Sequence, residues 1–153
     1  MRYLPVGLDV RDRICIVVGG GPIGTRKVLN LLRAGAAVTL LSPEATEALA
    51  EMAREGRIRW LRREYASGDF REAFLAVAAT DDEEANRTMV EDAREAGALI
   101  CDASSGSRSQ VIFGALHEEK GITLAVFTDG RDPSRARRVR DAIAASDRDW
   151  EQE

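Results

Sequence analysis

The stretch Ile14-Cys15-Ile16-Val17-Val18-Gly19-Gly20-Gly21-Pro22-Ile23-Gly24 runs an apolar strand pattern straight into spaced glycines and a helical pattern. It reads G-x-G-x-x-G in the setting where that spacing carries meaning, between a strand and a helix. Gly19 lets the chain turn tightly off the strand, Gly21 lets the backbone approach a pyrophosphate, and Gly24 lets the helix lie close on its sheet. A helix beginning near Pro22 presents unpaired N–H groups and the positive end of its dipole to an anion. The stretch therefore predicts a dinucleotide site, with Gly19, Gly21, Pro22, Ile23 and Gly24 on its phosphate side.

Outward from this corner, strand-like and helix-like segments alternate. Arg13–Val18 reads as a strand and Pro22–Ala34 as a helix with Val28, Leu31 and Leu32 turned inward. Ala37–Leu41 is the next strand. Ser42-Pro43-Glu44 follows it, and a proline just inside a helix start predicts a helix over Glu44–Glu55 ended by Gly56. Arg57–Trp60 is a short third strand, Ala66–Glu72 a loop or short helical turn, and Phe74–Ala79 a fully apolar strand suited to a central, doubly covered position. Asp81–Ala96 carries Ala85, Met89, Ala93 and Ala96 on one helical stripe, and Ala98–Cys101 is a fifth strand. This alternation predicts an α/β fold, a Rossmann-like parallel sheet with helices on both faces.

The pattern changes after residue 102. Ser104–Ser109 is a polar loop, and Val111–Leu116 and Ile122–Phe127 read as a hairpin around His117–Gly121, with a helix over Ser109–Glu119 as the alternative. A last helix starts near Pro133 and bears Arg135, Arg137, Arg138 and Arg140; the acidic end Asp147–Glu153 is expected to fray. The division expected is a nucleotide-binding domain over 1–108 and a hairpin-plus-helix annex over 109–153 serving dimerisation.

Composition bounds the rest. A chain of 153 residues with 44% hydrophobic and 31% charged residues is sized for one domain with a small annex. A net charge of −4 argues against a nucleic-acid or anionic-membrane partner. No apolar run approaches the ~20 residues of a membrane span, and Met1–Pro5 lacks a signal-peptide core, so the expected location is cytoplasmic. Cys15 and Cys101 sit in apolar strands without a CxxC partner and read as small buried hydrophobes. The lone His117 builds neither a triad nor a metal cluster.

In an open α/β sheet, ligands bind beyond the carboxyl ends of the strands. After the second strand come Ser42, Pro43 and Glu44. Glu44 lies twenty residues beyond Gly24, where an acid meets the ribose hydroxyls, although it also reads as a helix-start carboxylate. NAD is favoured over NADP only slightly, since the strand tip itself carries no acid. After the fourth strand come Thr80 and Asp81; both could line the nicotinamide side, while Asp81 with Glu84 also matches a capping box. After the fifth comes Asp102, placed where a general base belongs but equally a common turn residue. The arginines of the last helix, Arg137 and Arg140 on one face, are either a solvated surface or a cationic rim for carboxylates.

Taken in order, these residues resemble the precorrin-2 dehydrogenase family, the NAD-dependent part of sirohaem synthases. The resemblance runs from Leu4-Pro5 to about Ile143. It rests on Leu4-Pro5-Val6, Val17-Val18-Gly19-Gly20-Gly21, Arg26-Lys27, Leu32-x-x-Gly35-Ala36-x-Val38-Thr39 and Arg57-Ile58-x-Trp60. It continues through Ala78-Ala79-Thr80-Asp81-Asp82 with Asn86, then Ile112-Phe113, Leu124-Ala125-Val126, Gly130, Pro133, Ala136-Arg137 and Arg140.

The resemblance implies oxidation of precorrin-2 to sirohydrochlorin, with hydride passing to NAD and a proton to a carboxylate base; some family members also insert ferrous iron. NAD contacts carry over to Gly19, Gly21, Pro22, Ile23, Gly24, Pro43, Glu44 and Thr80, with Ser42 and Asp81 beside them. The substrate's eight carboxylates would engage Arg137, Arg140 and Arg108. The family's Asn-Val-x-Asp is here Cys101-Asp102-Ala103-Ser104, so an ungapped match puts Ser104 at the catalytic place and Asp102 two residues earlier. Asp102 is the expected base, with Ser104 and Thr128 as polar helpers. A homodimer is expected, because so short a chain offers a shallow cleft for a macrocycle. A noncatalytic NAD(H)-binding regulatory module on the same fold is the main alternative, and a methyltransferase the weaker third.

Overall fold

The computed structural model describes residues 1–146; the expectation about Asp147–Glu153 lies outside them. The chain divides into two compact units, Pro5–Val111 and a second made of Met1–Leu4 with the residues from Ile112 onward.

In the larger unit the order is β1 (Ile14–Val18), α1 (Pro22–Arg33), β2 (Ala37–Leu41), α2 (Glu47–Arg54), β3 (Arg59–Leu61), β4 (Leu75–Ala78), α3 (Glu83–Glu95) and β5 (Leu99–Asp102). All five strands are parallel, in the order β3-β2-β1-β4-β5. This is the doubly wound α/β architecture the alternation predicts. The order reverses at β1, so the Gly19–Gly24 loop stands at the switch point, where the crevice of such a sheet opens.

Burial follows the strand positions. Every residue of β4 is buried, as are Cys15–Val18 of β1, which gives the unbroken apolar runs expected of strands covered on both faces. Helix α1 packs on β1 and β2, α2 on β3, and α3 on β4 and β5. On the α3 side, Ile16, Val18, Leu41, Ala76, Ala78 and Ile100 meet Met89, Val90 and Ala93. Cys15 and Cys101 are free and buried, and burial pushes the Cys15 thiol up to about 11. The inward stripe of α1 holds one surprise: Lys27 is buried beside Val28 and Leu31, its amine 3.9 Å from the Cys101 sulfur, while Leu32 is only half-buried.

No helix crosses from β3 to β4. Gly68 (φ +91°) interrupts any helical course, and Arg63 closes the turn with a bidentate pair to Asp69 at 2.7 and 2.8 Å. The turn drives Phe70, fully buried, into the core, with the Tyr65 ring 5.0 Å away and the Tyr65 hydroxyl donating to Asp92. One buried aromatic substitutes for a helix face.

The second unit holds β6 (Ala115–Glu119), β7 (Ile122–Val126) and α4 (Pro133–Ala144), with α4 packed on both strands. The hairpin exists, but its first strand starts four residues later than expected and takes in His117–Glu119; no helix forms over Ser109–Glu119. Lys120 and Gly121 both have positive φ (49° and 78°), the signature of a two-residue hairpin turn. The polar residues read as a loop lie instead on the strand, paired His117↔Leu124, Glu118↔Thr123 and Glu119↔Ile122.

Candidate functional site

At the end of β1 the glycines serve distinct purposes. Gly19 has φ +111° and donates its N–H to the Leu41 carbonyl at 3.0 Å; a Cβ there would lie 2.3 Å from the Ala79 carbonyl oxygen. A Cβ on Gly24 would lie 1.9 Å from the Gly19 oxygen, so the first turn of α1 folds back onto the loop only with glycine at this place. Gly20, unassigned by the motif, is equally restricted: a Cβ would come 2.1 Å from the Glu44 carbonyl oxygen. Gly21 differs from all three. Nothing lies within 4 Å of its would-be Cβ, so the protein itself does not require glycine there.

That open space faces an unusual helix end. Gly21 caps α1 with no side-chain hydrogen bond, and Pro22 follows; the Gly21 carbonyl accepts from the Thr25 hydroxyl and amide at 3.0 and 2.9 Å. The other three α-helices among the described residues are capped by side chains, α2 by Thr46, α3 by Asp82 and α4 by Asp132. A bare helix start beside a position where only a ligand would exclude a Cβ fits a pyrophosphate.

Beyond β2, the Ser42 hydroxyl accepts the Gly20 N–H at 3.0 Å and the Ser42 carbonyl accepts the Trp60 indole N–H at 2.9 Å. Helix α2 begins at Glu47 rather than at Glu44. Thr46 is its cap, accepting the Leu49 amide and sharing a 2.8 Å hydrogen bond with Thr25. The helix-start explanation of Glu44 therefore fails: it belongs to an exposed loop whose backbone leans on Gly20, and Pro43 is exposed beside it.

Beyond β4, the capping box predicted for Asp81 and Glu84 does not form, because the cap falls one residue later and puts Ala85 at the third helical position. Asp82 caps α3, accepting the Glu84 and Ala85 amides at 2.9 and 3.0 Å, and Asp81 is left exposed. Thr80 is fixed by Asn86. The Asn86 side-chain oxygen accepts from the Thr80 hydroxyl (2.7 Å) and amide (3.2 Å), and its amide donates to the Thr80 carbonyl (2.9 Å) and to the Ser104 hydroxyl (3.5 Å). Asn86 is 0% exposed. It lies one place off the Ala85–Met89–Ala93 stripe, so periodicity passes over it; the available signal is an amide on a face shared with Val90 and Ala93. Asn86→Ala leaves the half-buried Thr80 amide and carbonyl without their partner, the Thr80 hydroxyl keeping the Asp82 carbonyl, and is expected to cost about 2–4 kcal/mol by urea denaturation; Asn86→Asp, which keeps only the acceptor, should fall between it and the parent.

Asp102, expected just past the fifth strand, is the last residue of β5 itself, and its side chain has no exposed surface. Its Oδ1 accepts the Ser104 hydroxyl (2.6 Å) and the amides of Ser104 (2.9 Å) and Ser105 (3.2 Å), and its Oδ2 accepts Arg108 Nε at 2.6 Å. Burial pushes its pKa upward, but the Ser104 and Arg108 hydrogen bonds outweigh it and hold the carboxyl below its ordinary value. The carboxylate stands under the loop, and Ser104, exposed, is the atom group above it. Arg108 also reaches Glu83 (3.0 Å) and the Ser104 hydroxyl (3.1 Å), so all three of its nitrogens hold an acceptor within the protein.

The remaining candidates lie in the smaller unit. The Thr128 hydroxyl donates to the Asp132 carbonyl and accepts the Asp132 amide, at 2.9 and 3.2 Å, closing the entry to α4. Arg140 donates to the Leu116 carbonyl and to Asp141. Arg137 donates to the Ser134 hydroxyl at 3.2 Å.

Comparison with known proteins fits this geometry. A family model described as "Putative NAD(P)-binding" matches residues 6–115. Siroheme synthase 1 of Serratia proteamaculans is 33% identical over 145 residues, covering 95% of this chain and 30% of the relative. Siroheme synthase of Azotobacter vinelandii is 38% identical over 143 residues, covering 94% and 31%. The chain thus spans about a third of the length of these relatives. Among solved structures, the precorrin-2 dehydrogenase SirC superposes with a TM-score of 0.79 at 29% identity, covering 93% of this chain and 70% of that one. The apo D-lactate dehydrogenase of Escherichia coli, at a TM-score of 0.51 and 18% identity over 68% of this chain and 32% of that one, shares the fold. No helix among the described residues is long and apolar enough to cross a membrane.

Proposed function

Because the chain belongs to the NAD(P)-binding family represented in siroheme synthases, we propose that it oxidises precorrin-2 to sirohydrochlorin with NAD. The observation that carries the reading is the α1 corner, where the protein requires glycine at positions 19, 20 and 24 and leaves open space at Gly21 beside an uncapped helix start, as a bound pyrophosphate would need. The names of the siroheme synthase relatives and of SirC supply the substrate.

In this reading the α1 amides and Gly21 hold the pyrophosphate, Ser42, Pro43 and Glu44 border the adenosine ribose, and Thr80 and Asp81 border the nicotinamide. Bound NAD supplies a hydride acceptor. The reaction removes one hydride and one proton from the macrocycle, giving sirohydrochlorin, NADH and H⁺. Asp102 is enclosed, so the proton leaves through the exposed Ser104 hydroxyl, which is hydrogen-bonded to Asp102 and passes its own proton inward. Arg108 orients that hydroxyl, and the long Asn86 contact at 3.5 Å gives way to free the lone pair that takes the substrate proton. Arg137, Arg140 and Arg108 are the candidates for the substrate carboxylates, each also holding an acceptor within its own unit. Thr128 contributes by shaping the entry to α4. The homodimer and the cytoplasmic location belong to the same proposal; native mass spectrometry at micromolar concentration reads the first.

Anaerobic incubation with precorrin-2 and NAD⁺ should convert the macrocycle absorbance to that of sirohydrochlorin with stoichiometric NADH. The enclosure of Asp102 favours a second reading, a noncatalytic NAD(H)-binding module. Heat of NAD binding with no change in the macrocycle spectrum would select it and reject the enzyme.

A further inference from the structure

The β2–β3 register sets two strand tips side by side. Leu41 pairs with Leu61, and the Ser42 amide donates to the Leu61 carbonyl at 3.3 Å, so Ser42 and Arg62 leave the sheet as neighbours. In dinucleotide sites of this architecture, the second strand's tip governs the 2′ position of the adenosine ribose: an acid there bonds the 2′-hydroxyl, and a nearby arginine accommodates a 2′-phosphate. Here the tip is Ser42, whose hydroxyl is taken by the Gly20 amide. Arg62 is exposed and lies 4.1 Å over the Trp60 ring, while the Trp60 indole is itself tied to the Ser42 carbonyl. Stacking on an aromatic that is hydrogen-bonded to the ribose-side loop holds the guanidinium beside that loop. Arg62 makes no salt bridge among the described residues, whereas its neighbour Arg63 is committed to Asp69.

We propose that Arg62 is a specificity-determining residue that receives the 2′-phosphate of NADP, so that this chain accepts NADP as well as NAD. The proposal rests on the dinucleotide reading of the α1 corner and extends it to the adenosine end. Glu44, the exposed acid of the same loop, opposes a 2′-phosphate and favours the 2′-hydroxyl of NAD. With Arg62 opposite in sign, neither nucleotide is excluded. Trp60 acts on the preference only through the position of Arg62.

The test is calorimetric titration of the full chain with NAD⁺ and with NADP⁺, for the parent, Arg62→Ala and Trp60→Leu. The parent should bind both. Arg62→Ala should weaken NADP⁺ by about ten- to a hundredfold, the range of a charge-assisted hydrogen bond, and leave NAD⁺ within about twofold. Trp60→Leu should move in the same direction by less, and added salt should weaken NADP⁺ more than NAD⁺. NAD⁺ binding with no NADP⁺ binding, or equal losses for both nucleotides in Arg62→Ala, would overturn the role of Arg62 and leave the dinucleotide site standing. Failure of the parent to bind either nucleotide would overturn the dinucleotide reading itself.

Discussion

Gly19→Ala is expected to lower the melting temperature by roughly 4–24 °C, the loss that about 2–6 kcal/mol produces in a chain of this size. Two independent costs contribute. The φ of +111° is one that L side chains rarely adopt, and such strain costs about 1–3 kcal/mol. The new methyl would also stand 2.3 Å from the Ala79 carbonyl oxygen, a backbone atom tied to β4 that cannot swing aside, and overpacking of this kind costs about 1–3 kcal/mol more. Gly21→Ala should separate structure from binding. Its backbone is extended (φ −77°, ψ −173°) and its surroundings are open, so thermal unfolding should stay within about 2 °C of the parent. The same methyl enters the space a pyrophosphate needs, and calorimetry should show NAD⁺ weakened by about ten- to a hundredfold. Equal loss of stability in both variants, or unchanged NAD⁺ affinity in Gly21→Ala, would remove the ligand-based explanation for glycine at position 21.

The corner was legible because its demands are local. A turn off a strand, a close helix and an exposed helix end each restrict the residue at one position, and the restriction appears in the sequence as glycine or proline. Strands β1 and β4 are legible for a related reason, since a strand covered on both faces has no polar positions to confuse the reading, whereas β3, with exposed Arg59, begins two residues later than the pattern suggests. Gly20 was not readable in this way. Its restriction comes from the Glu44 carbonyl, twenty-four residues along the chain, and no local pattern records a contact at that separation.

Helix starts were misplaced where two acceptors compete. Asp81 and Asp82 both offer a carboxylate before α3, and the backbone at Asp82 (φ −91°, ψ 106°) puts the cap there. Pro43 suggested an early start to α2, but the chain first leans Glu44 and Ala45 on Gly20, so the helix waits for Thr46. The hairpin erred for want of turn chemistry: Lys120-Gly121 alone reverses the chain, and the charged residues before it, Glu118 and Glu119, are the exposed end of a strand. The candidate base shows the deeper limit. Sequence put Asp102 at a strand tip on the correct edge of the sheet, which is where it lies. Whether its oxygens are open or enclosed depends on Arg108, six residues later, folding back through a single 3-10 turn over Gly106–Arg108.

Removal of that carboxylate should therefore be felt in both stability and turnover. Asp102→Ala leaves the Ser104 and Ser105 amides without their acceptor and Arg108 without its closest anion; a buried pair broken on one side costs about 3–5 kcal/mol, reduced here because Arg108 keeps 20% of its surface and Glu83. About 2–4 kcal/mol by urea denaturation at pH 7 is expected. The pH dependence has a fixed sign. The folded carboxyl titrates below its unfolded value of about 3.9, so its stabilisation is full above that pH and is lost as pH falls through the lower, folded value. The gap between parent and Asp102→Ala should be constant from about pH 5 to 8 and narrow toward pH 3, and a gap independent of pH would show that the negative charge contributes nothing. Turnover with precorrin-2 should fall about 10²–10⁴-fold while NAD⁺ still binds, because the α1 corner lies on other strand tips. Ser104→Ala distinguishes relay from scaffold: it removes the exposed hydroxyl but leaves the Ser104 amide and Arg108 on the carboxylate. A proton that travels through Ser104 makes this variant nearly as slow as Asp102→Ala at near-parental stability. Parental turnover in Ser104→Ala would leave Asp102 the task of holding the β5 loop in shape and hand the proton to solvent.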